Sequence, residues 1–164
     1  MLLMFIKFFL REHKLDSPFT GGISSNTVIQ LILFTIQLLD KSERLNCGKI
    51  LLKFFLYYGE IFNYITTGIS TRDGGRTFER LRLSHASWTT PISISIEDPQ
   101  IPGNFLGENA FNTPVFRMKC SDAYLKLIMN KSFYEQSLLN RIVSYKTLGE
   151  MNNFRMSVID KFIS

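Results

Sequence analysis

Two cations near the start of this 164-residue chain have a spacing that suits ligand binding. Lys7 and Arg11 are four residues apart, which places both on one face of a helix. An ammonium and a guanidinium on one face can hold the oxygens of a polyphosphate. The same spacing also suits two long side chains that reach solvent from an otherwise apolar helix, and the helix alone favours this second interpretation.

A glycine turn in front of a serine pair forms the second candidate site. Residues 20–25 read TGGISS, and a turn of this kind that opens a helix can offer backbone N–H groups and the Ser25 hydroxyl to an anion. The turn is no P-loop, because no lysine follows the glycines. The alternative is a tight turn followed by an ordinary helix cap.

A loop rich in proline and glycine forms the third candidate site. Residues 96–107 read IEDPQIPGNFLG and contain the carboxylate of Asp98 and the amide of Asn104. A carboxylate and an amide in a rigid loop can read the edge of a nucleobase through hydrogen bonds. The alternative is a strand end followed by ordinary turn residues.

Aromatic side chains cluster between residues 54 and 64, in the segment FFLYYGEIFNY. Exposed aromatic rings can stack on nucleobases. Spacing at three and four residues is more typical of a helix packed in a core, and the composition favours packing. We therefore expect this stretch to build the core.

A basic segment follows between residues 72 and 82. It contains four arginines, opposed only by Asp73 and Glu79. Contact with RNA phosphates is a weaker hypothesis for this segment, and a solvated loop is the favoured alternative. The four candidates are Arg72, Arg76, Arg80 and Arg82.

The composition indicates one compact domain. Hydrophobic residues make up 45% of the chain and aromatic residues 13%, which excludes disorder, collagen and coiled coil as global classes. The net charge of +5 favours phosphate-bearing or anionic partners. Two cysteines and two histidines give neither a disulfide framework nor a metal-ligand cluster. Because no uncharged apolar run is long enough to span a membrane and no cleavable signal peptide is recognisable, we expect a soluble intracellular protein.

Hydrophobic periodicity predicts a mainly α fold with a short strand element. A loop or short hairpin is expected over residues 71–83, one strand over 92–96, where isoleucine alternates with serine, and a structured loop over 99–107. Asn46 is the expected cap of the third helix. The expected helices cover residues 2–14, 28–39, 46–62, 121–129, 134–144 and 147–162.

Four motifs, taken in their order and spacing, resemble one protein family. They are TGGISS at 20–25, LLKFFLYYGEIFNYITTGI at 51–69, RDGG at 72–75 and IEDPQIPGNFLG at 96–107. Together they are similar to the central, PAP-associated domain of the TRAMP-type nuclear noncanonical poly(A) RNA polymerases of the nucleotidyltransferase superfamily. The resemblance implies a helical, bundle-like central domain over residues 1–164. Within it, residues 46–109 would form the PAP-associated region and 110–164 the C-terminal helices.

The resemblance also implies a function, which is the binding of ATP and RNA 3′ ends in an enzyme that adds AMP to those ends in nuclear RNA surveillance. By motif position, Lys7 and Arg11 would face the triphosphate, and Ser25 would contact a phosphate. Asp98 and Asn104 would lie in the nucleotide-recognition loop that selects the base. The resemblance implies that the complete enzyme uses ATP together with Mg²⁺ or Mn²⁺. We expect this chain alone to hold no cofactor.

Three positions depart from the family pattern. Asn26 replaces the tyrosine on which the base stacks, and such stacking contributes about 1–3 kcal/mol per base. Phe105 stands where Asp is common, and Glu108 stands where Arg is usual. The departures predict weaker nucleotide binding and leave base selection open. The alternative function is therefore a non-catalytic relict that acts as a protein- or RNA-binding scaffold.

The catalytic motifs of the family are missing from this sequence. None of the ten glycines is followed by serine, and no acidic residue has another two positions further on. Because two-metal phosphoryl transfer needs such carboxylates, we expect no catalytic residue, no metal ligand and no activity of the chain alone. The first helix begins where the family's catalytic domain would have ended, which predicts a truncated or split protein, located in the nucleus. The implied partners are a separate catalytic domain and a zinc-knuckle RNA-binding subunit.

Overall fold

Helices and a mixed sheet make up the described part of the chain, which in this computed structural model comprises residues 1–80, 92–101, 103–129 and 138–163. The α-helices in these ranges are α1 (Leu2–Glu12), α2 (Ser25–Gln37), α3 (Cys47–Leu56), α4 (Thr113–Ile128) and α5 (Tyr145–Ile163). The strands are β1 (Thr67–Ser70), β2 (Arg76–Glu79), β3 (Ile96–Glu97) and β4 (Phe105–Leu106). Short 3₁₀ turns cover Pro18–Thr20, Arg72–Gly74 and Leu138–Arg141. No helix within the described ranges combines the length and the apolar character needed to cross a bilayer.

Side-chain caps set the starts of α2 and α3. Ser24 Oγ accepts a hydrogen bond from the N–H of Thr27 at 3.1 Å. Asn46 Oδ1 accepts one from the N–H of Lys49 at the same distance. Each bond satisfies one of the N–H groups that the first turn of a helix leaves free. The predicted cap Asn46 of α3 is confirmed, and of the three residues able to cap α2, Ser24, Ser25 and Asn26, the structure uses Ser24.

The aromatic stretch of residues 54–64 lies in the core, so the packing interpretation is confirmed. Phe54, Phe55 and Tyr58 are fully buried, and the rings of Phe54 and Tyr58 meet edge to face with centroids 4.9 Å apart. The Tyr58 hydroxyl donates to the carbonyl of Leu31 in α2 at 2.9 Å, which satisfies the one polar atom of the buried ring. The buried face of α1 packs on the same core through Phe5, Ile6, Phe9 and Leu10.

A π turn at Tyr57–Ile61 follows α3 and replaces the last part of the predicted helix over 46–62. Its glycine allows close packing, because a Cβ on Gly59 would lie 2.5 Å from the backbone N of Ser121 in α4. Arg117 of α4 also donates to the Gly59 carbonyl at 3.3 Å. The close approach holds α4 against the end of α3.

The sheet is larger than the single strand predicted from the sequence. Its order is β2-β1-β3-β4, with β1 antiparallel to β2 and parallel to β3, and with β3 antiparallel to β4. The hairpin alternative for residues 71–83 is confirmed, although its strands span residues 67–79. Of the strand predicted over 92–96, only Ile96 is in a strand.

The strands escaped prediction for physical reasons. The last three residues of β1 are all buried, so β1 lacks the alternation of apolar and polar residues that marks a half-exposed strand. Strands β3 and β4 have two residues each, which is too short for a period of two to be recognised. Their pairing partners define them, and pairing is not visible in local sequence.

The C-terminal third contains helices, as expected, with different bounds. Helix α4 begins at Thr113 rather than Ser121, because Pro114 in its first turn costs no hydrogen bond. The helix predicted over 134–144 lies outside the described residues up to position 137, and the structure has a 3₁₀ turn from Leu138. The helix predicted over 147–162 is confirmed as α5.

The first and last helices are linked at their ends. Both carboxylate oxygens of Glu12 accept from the N–H of Ser144, at 3.1 and 3.0 Å, across 132 residues of sequence. Ser144 Oγ in turn accepts from the N–H of Thr147 at 3.2 Å, in the first turn of α5. The C-terminal end of α1 is thereby bonded to the start of α5.

Candidate functional site

The loop between β3 and β4 is closed by its own side chains. Asp98 Oδ1 accepts hydrogen bonds from the N–H groups of Gln100 and Ile101, at 2.9 and 3.3 Å. Its Oδ2 accepts from the Asn104 amide at 2.8 Å, and the Asp98 N–H donates to the Asn104 carbonyl at 2.9 Å. The bond from Gln100, and after it that from Asn104, lower the pKa of Asp98 below its ordinary value. The ionised carboxylate therefore fixes the shape of the loop at neutral pH.

The bonds inside the loop also set the orientation of the Asn104 amide. One of the two N–H groups of its Nδ2 is used by Asp98, so the acceptor Oδ1 and the second N–H of this exposed side chain remain for a ligand. An acceptor matches the exocyclic amino group of adenine and does not match the corresponding carbonyl of uracil. The Oδ1 acceptor gives Asn104 one group that favours adenine, and contact of Asn104 with a base stays a prediction.

The guanidinium of Arg72 joins this loop to the β1–β2 hairpin. Its Nη2 donates to the carbonyls of Asp98 and Pro99, both at 3.0 Å. Its Nη1 lies 3.7 Å from Oε1 of Glu97. The three acceptors belong to the consecutive residues Glu97, Asp98 and Pro99, so Arg72 holds the first turn of the loop in place.

Glu97 extends the same set of contacts to the strands. Its Oε2 lies 3.4 Å from Nη2 of Arg76 in β2. A side-chain hydrogen bond from Ser70, followed by the charges of Arg72 and Arg76, lowers the pKa of Glu97. At neutral pH the carboxylate is charged and pairs with two arginines of the hairpin.

The hairpin is bonded to α2 through Thr71. The Thr71 hydroxyl donates to Oε1 of the buried Gln30 at 2.6 Å, and its carbonyl accepts from Nε2 of Gln37 at 2.9 Å. Thr71 and Arg72 are neighbours, so α2 and the loop belong to one hydrogen-bonded framework. The helix that starts at Ser25 is thus fixed relative to Asp98.

The glycine turn before α2 packs against the segment that follows β4. The Asn112 side chain donates to the carbonyl of Thr20 at 2.7 Å. The Asn112 N–H donates to the carbonyl of Gly21 at 2.9 Å. A Cβ on Gly21, whose φ is +77°, would overlap the ring of Phe111. Glycine is required here by both backbone conformation and space.

The three residues predicted to contact phosphate are on the surface. Lys7 and Arg11 are exposed on α1, and Ser25 is the exposed first residue of α2. Ser24 provides the cap of α2, so the Ser25 hydroxyl is not used for capping. A helix start leaves N–H groups free and carries a partial positive charge, which suits an anion. Contact of these residues with a triphosphate stays a prediction.

Comparison with known proteins identifies the region that contains the loop. Residues 46–104 match the family described as Cid1 family poly A polymerase, over its PAP-associated region. This chain carries a PAP-associated domain of that family. The matched span begins at the cap of α3 and ends at Asn104, and so includes the hairpin and the closed loop.

Curated relatives of this PAP-associated domain are poly(A) RNA polymerases by name. The chain is 34% identical over 136 residues to poly(A) RNA polymerase CID14 of Cryptococcus neoformans, a match that covers 78% of this chain and 18% of the relative. It is 27% identical over 175 residues to poly(A) RNA polymerase protein 1 of Saccharomyces cerevisiae, covering 93% of this chain and 26% of the relative. The chain thus spans about a fifth to a quarter of the length of these relatives.

The fold is also that of a solved structure, the polymerase core of TRAMP, a RNA surveillance complex. The TM-score is 0.72 at 23% sequence identity, over 88% of this chain and 50% of the solved chain. The combination of helices with a four-stranded mixed sheet is therefore similar to the fold of the matched half of that chain.

The basic segment of the PAP-associated domain makes contacts within the protein. Arg72 and Arg76 bond to the loop and to Glu97 as described. Arg80 Nη1 donates to the carbonyls of Tyr64 and Ser93, at 2.5 and 3.0 Å. Arg82 lies outside the described residues. RNA binding by the four arginines stays a prediction, and the contacts of the first three show that they also hold the sheet and the loop together.

Two of the three departures from the family pattern are engaged in contacts. Phe105 packs on Phe78 of β2, with ring centroids 5.8 Å apart. Glu108 accepts a hydrogen bond from the Ser95 hydroxyl at 3.3 Å. Asn26 is exposed in the first turn of α2. Phe105 and Glu108 therefore have structural partners of their own, while Asn26 offers a small polar surface where the family has a ring.

Sequence reasoning missed the residues that connect the parts of the site. Gln30, Thr71 and the positioning contacts of Arg72 were not predicted. The hydroxyl of Thr71 bonds to a residue 41 positions away, and Arg72 bonds to carbonyls 26 and 27 positions away. No local spacing signals such contacts, because the first depends on the packing of the hairpin against α2 and the others on the pairing of β1 with β3.

Proposed function

We propose that this chain is the nucleotide- and RNA-substrate-binding part of a poly(A) RNA polymerase that adds AMP to RNA 3′ ends in nuclear RNA surveillance. The observation that carries the proposal is the framework that joins the start of α2 to the closed loop at residues 98–104. A bound nucleotide needs a cationic or N–H-rich surface for its phosphates and a separate polar edge for its base. The framework holds one candidate for each at fixed positions. The names of the curated relatives support the same function.

ATP is the nucleotide that the loop favours. The Asn104 amide offers its Oδ1 acceptor to the amino group of adenine, whereas the carbonyl of uracil would have to use the second N–H of Nδ2, the nitrogen that already bonds to Asp98. Discrimination then depends on one side chain, since Asn26 replaces the ring on which the family stacks the base. We expect ATP binding to be weak but selective over UTP.

Catalysis in the proposed enzyme belongs to a second, catalytic nucleotidyltransferase domain. Among the residues that the structure describes, no three acidic, histidine or cysteine side chains form a group that fits Mg²⁺ or Mn²⁺. We therefore assign no metal-dependent step to this chain. A zinc-knuckle RNA-binding subunit and a nuclear location are part of the same proposal.

Titration of the chain with ATP tests the phosphate end of the site. Replacing both Lys7 and Arg11 with alanine is expected to weaken ATP binding by about tenfold or more, because each removes a charge-assisted contact. Calorimetry or nuclear magnetic resonance measures the affinity. The loss should be smaller for AMP than for ATP, since AMP lacks the outer phosphates.

A double variant with Lys14→Ala and Lys41→Ala is the matched control. It removes the same charge from exposed positions outside the proposed site and should leave the affinity within about twofold. Equal losses in the two double variants would mean that only net charge matters. Absence of saturable ATP binding by the unmodified chain would contradict the proposal.

The base end of the site is tested by Asn104→Ala. The variant should lower the preference for ATP over UTP while leaving UTP affinity nearly unchanged, since the acceptor contacts only the base.

Addition of the unmodified chain to a matching catalytic domain should increase AMP addition to an RNA 3′ end. No gain over the catalytic domain alone would count against the polymerase function.

A non-catalytic scaffold is the second candidate function, and Asn26 is the observation that favours it. Without a stacking ring, the start of α2 has lost a contact worth about 1–3 kcal/mol. A scaffold would show no saturable response to ATP or UTP. The same titration therefore separates the two candidates.

A further inference from the structure

Arg72 is the residue whose contacts extend furthest beyond the sites predicted from the sequence. It donates to two successive carbonyls of the loop and faces Glu97. About 29% of its side chain is exposed, so the guanidinium is partly withdrawn from solvent. A guanidinium that bonds two carbonyls in a partly buried position is held within the protein and presents little charge to RNA.

The loop behaves as one closed unit whose placement depends on its outer contacts. Its inner bonds run from Asp98 to Gln100, Ile101 and Asn104 and fix its shape. They do not fix its position on the domain. That position is set where the loop meets other elements, at the short strands on either side and at the guanidinium of Arg72.

The strands on either side of the loop are short and hold its position only weakly. Strand β3 has two residues and pairs with β1 through the single residue pair Ile69 and Ile96. Strand β4 has two residues as well. Strand pairings this short allow the loop between β3 and β4 to tilt relative to the sheet. The two hydrogen bonds from Arg72 to the first turn of the loop therefore control the orientation of the loop.

Arg72 is itself fixed to the helix that carries the proposed phosphate site. Its N–H donates to the Ser70 hydroxyl at 3.3 Å, and its neighbour Thr71 is bonded to Gln30 in α2. A change at Arg72 therefore changes the position of Asn104 relative to Ser25. For a nucleotide that contacts both Ser25 and Asn104, this change would alter the contact between its base and Asn104.

We propose that Arg72 is a positioning residue that holds the 98–104 loop at the distance from α2 at which Asn104 selects adenine. The inference rests on the proposed function, since it assigns the selectivity of that site to a residue that does not touch the nucleotide. It also replaces the weaker hypothesis of RNA contact with an intramolecular role for this arginine.

Nucleotide titration of the full chain carrying Arg72→Lys or Arg72→Ala tests the inference. Both variants should lower the ratio of ATP to UTP affinity by about tenfold, because lysine keeps the charge but cannot span two carbonyls. UTP affinity should change by less than about twofold, since the phosphate end is intact. Hydrogen exchange at the amide of Ile69, which donates to the Ser95 carbonyl across β1 and the segment before β3, should accelerate by about tenfold, while the amides of Gln100 and Ile101 inside the loop keep their rates.

Arg44→Ala is the matched control, because this arginine also donates to two backbone carbonyls, those of Leu39 and Gln37, away from the loop. It should leave both the affinity ratio and the exchange of the Ile69 amide unchanged. Equal losses for ATP and UTP in Arg72→Ala, or wild-type selectivity in Arg72→Lys, would overturn the positioning role.

The two proposals fail in different ways. If the unmodified chain binds neither ATP nor UTP, the proposed function is overturned, and the selectivity role of Arg72 falls with it. If the unmodified chain binds ATP selectively and the Arg72 variants keep the same ratio, the function stands and the inference is overturned.

Discussion

Asp98 shows that a carboxylate in the proposed recognition loop can stabilise the shape of the loop. Both of its oxygens accept hydrogen bonds from Gln100, Ile101 and Asn104, so the side chain has little capacity left for a base. Its effect on the proposed ligand is indirect, because it turns the Asn104 amide so that an acceptor remains. In the proposed site, Asp98 thus shapes the loop and Asn104 contacts the base.

The lowered pKa of Asp98 predicts how its contribution depends on pH. A carboxyl group whose pKa is lower in the folded than in the unfolded state stabilises the fold above the ordinary pKa of about 3.9. That contribution is lost as the pH falls through the folded-state pKa. Asp98→Asn should therefore be less stable than the unmodified chain at pH 7, and the difference should shrink toward pH 3. Urea denaturation at several pH values measures it.

Asp73→Asn is the matched control for this charge. Asp73 is exposed in the hairpin turn with φ of +51°, a conformation that asparagine also adopts. Its stability should follow that of the unmodified chain at each pH. A stability difference in Asp98→Asn that stays constant from pH 7 to pH 3 would show that the charge of Asp98 is not what stabilises the loop.

The candidate site was predictable from sequence where its residues lie close together in the chain. Asp98 and Asn104 are six positions apart in a loop marked by proline and glycine, and the structure joins them directly. For Arg72 the charge of its segment gave a solvated loop as the favoured interpretation and RNA contact as the weaker one, which stays a prediction. Its acceptors in the protein were hidden, because they become neighbours only when β1 and β3 pair.

At the scale of elements, the contact between the π turn and α4 depends on a glycine, because any side chain at position 59 would collide with α4. Gly59 lies against the backbone of Ser121, and neither backbone can move without disturbing a helix. The fully buried Tyr58 next to it bonds to α2. The turn thus fixes α4 and α2 on the two sides of one aromatic cluster.

Gly59→Ala is expected to destabilise the protein by about 1–3 kcal/mol, because its Cβ would come within 2.5 Å of a backbone atom and force the helices apart. Thermal or urea denaturation measures the change. Gly149→Ala is the control, since nothing lies within 4 Å of a Cβ at that position in α5. There alanine should stabilise the helix by up to about 1 kcal/mol. The same sign for both substitutions would contradict the close packing at Gly59.

The helices were easier to predict than the strands because their signal is local. The caps at Ser24 and Asn46 and the apolar spacing of α1 and α2 lie within a few residues of each other. The π turn was missed since its aromatic spacing continues that of α3. The extent of the sheet was missed because the buried residues of β1 do not alternate with polar ones, and because β3 and β4, with two residues each, are too short to show a period.

At the scale of the whole molecule, a buried polar bond connects the helical part to the sheet. The Thr71 hydroxyl donates to Gln30, whose side chain lies in α2 and is almost fully buried. Loss of the donor would leave the amide oxygen of Gln30 without that partner. The bond therefore couples the stability of the hairpin to that of the helices.

Thr71→Val should lower the free energy of unfolding by about 1–3 kcal/mol, the cost of leaving a buried acceptor unsatisfied. Thr77→Val, on the exposed side of β2, should change it by less than about 0.5 kcal/mol. Hydrogen exchange should show earlier opening of β1 and β2 in Thr71→Val only. A loss equal to that of Thr77→Val would mean that the two parts are coupled by packing alone.

The bond between Glu12 and Ser144 also bears on folding during synthesis, because its two ends are far apart in the chain. Helix α1 leaves the ribosome before its partner, which follows 132 residues later, after roughly 7–26 s at ordinary translation rates. For that interval α1 lacks the cover of α5, so apolar side chains of the nascent chain stay accessible to chaperones. Slow translation of the segment between α1 and α5 would therefore prolong the period in which the chain is a chaperone client.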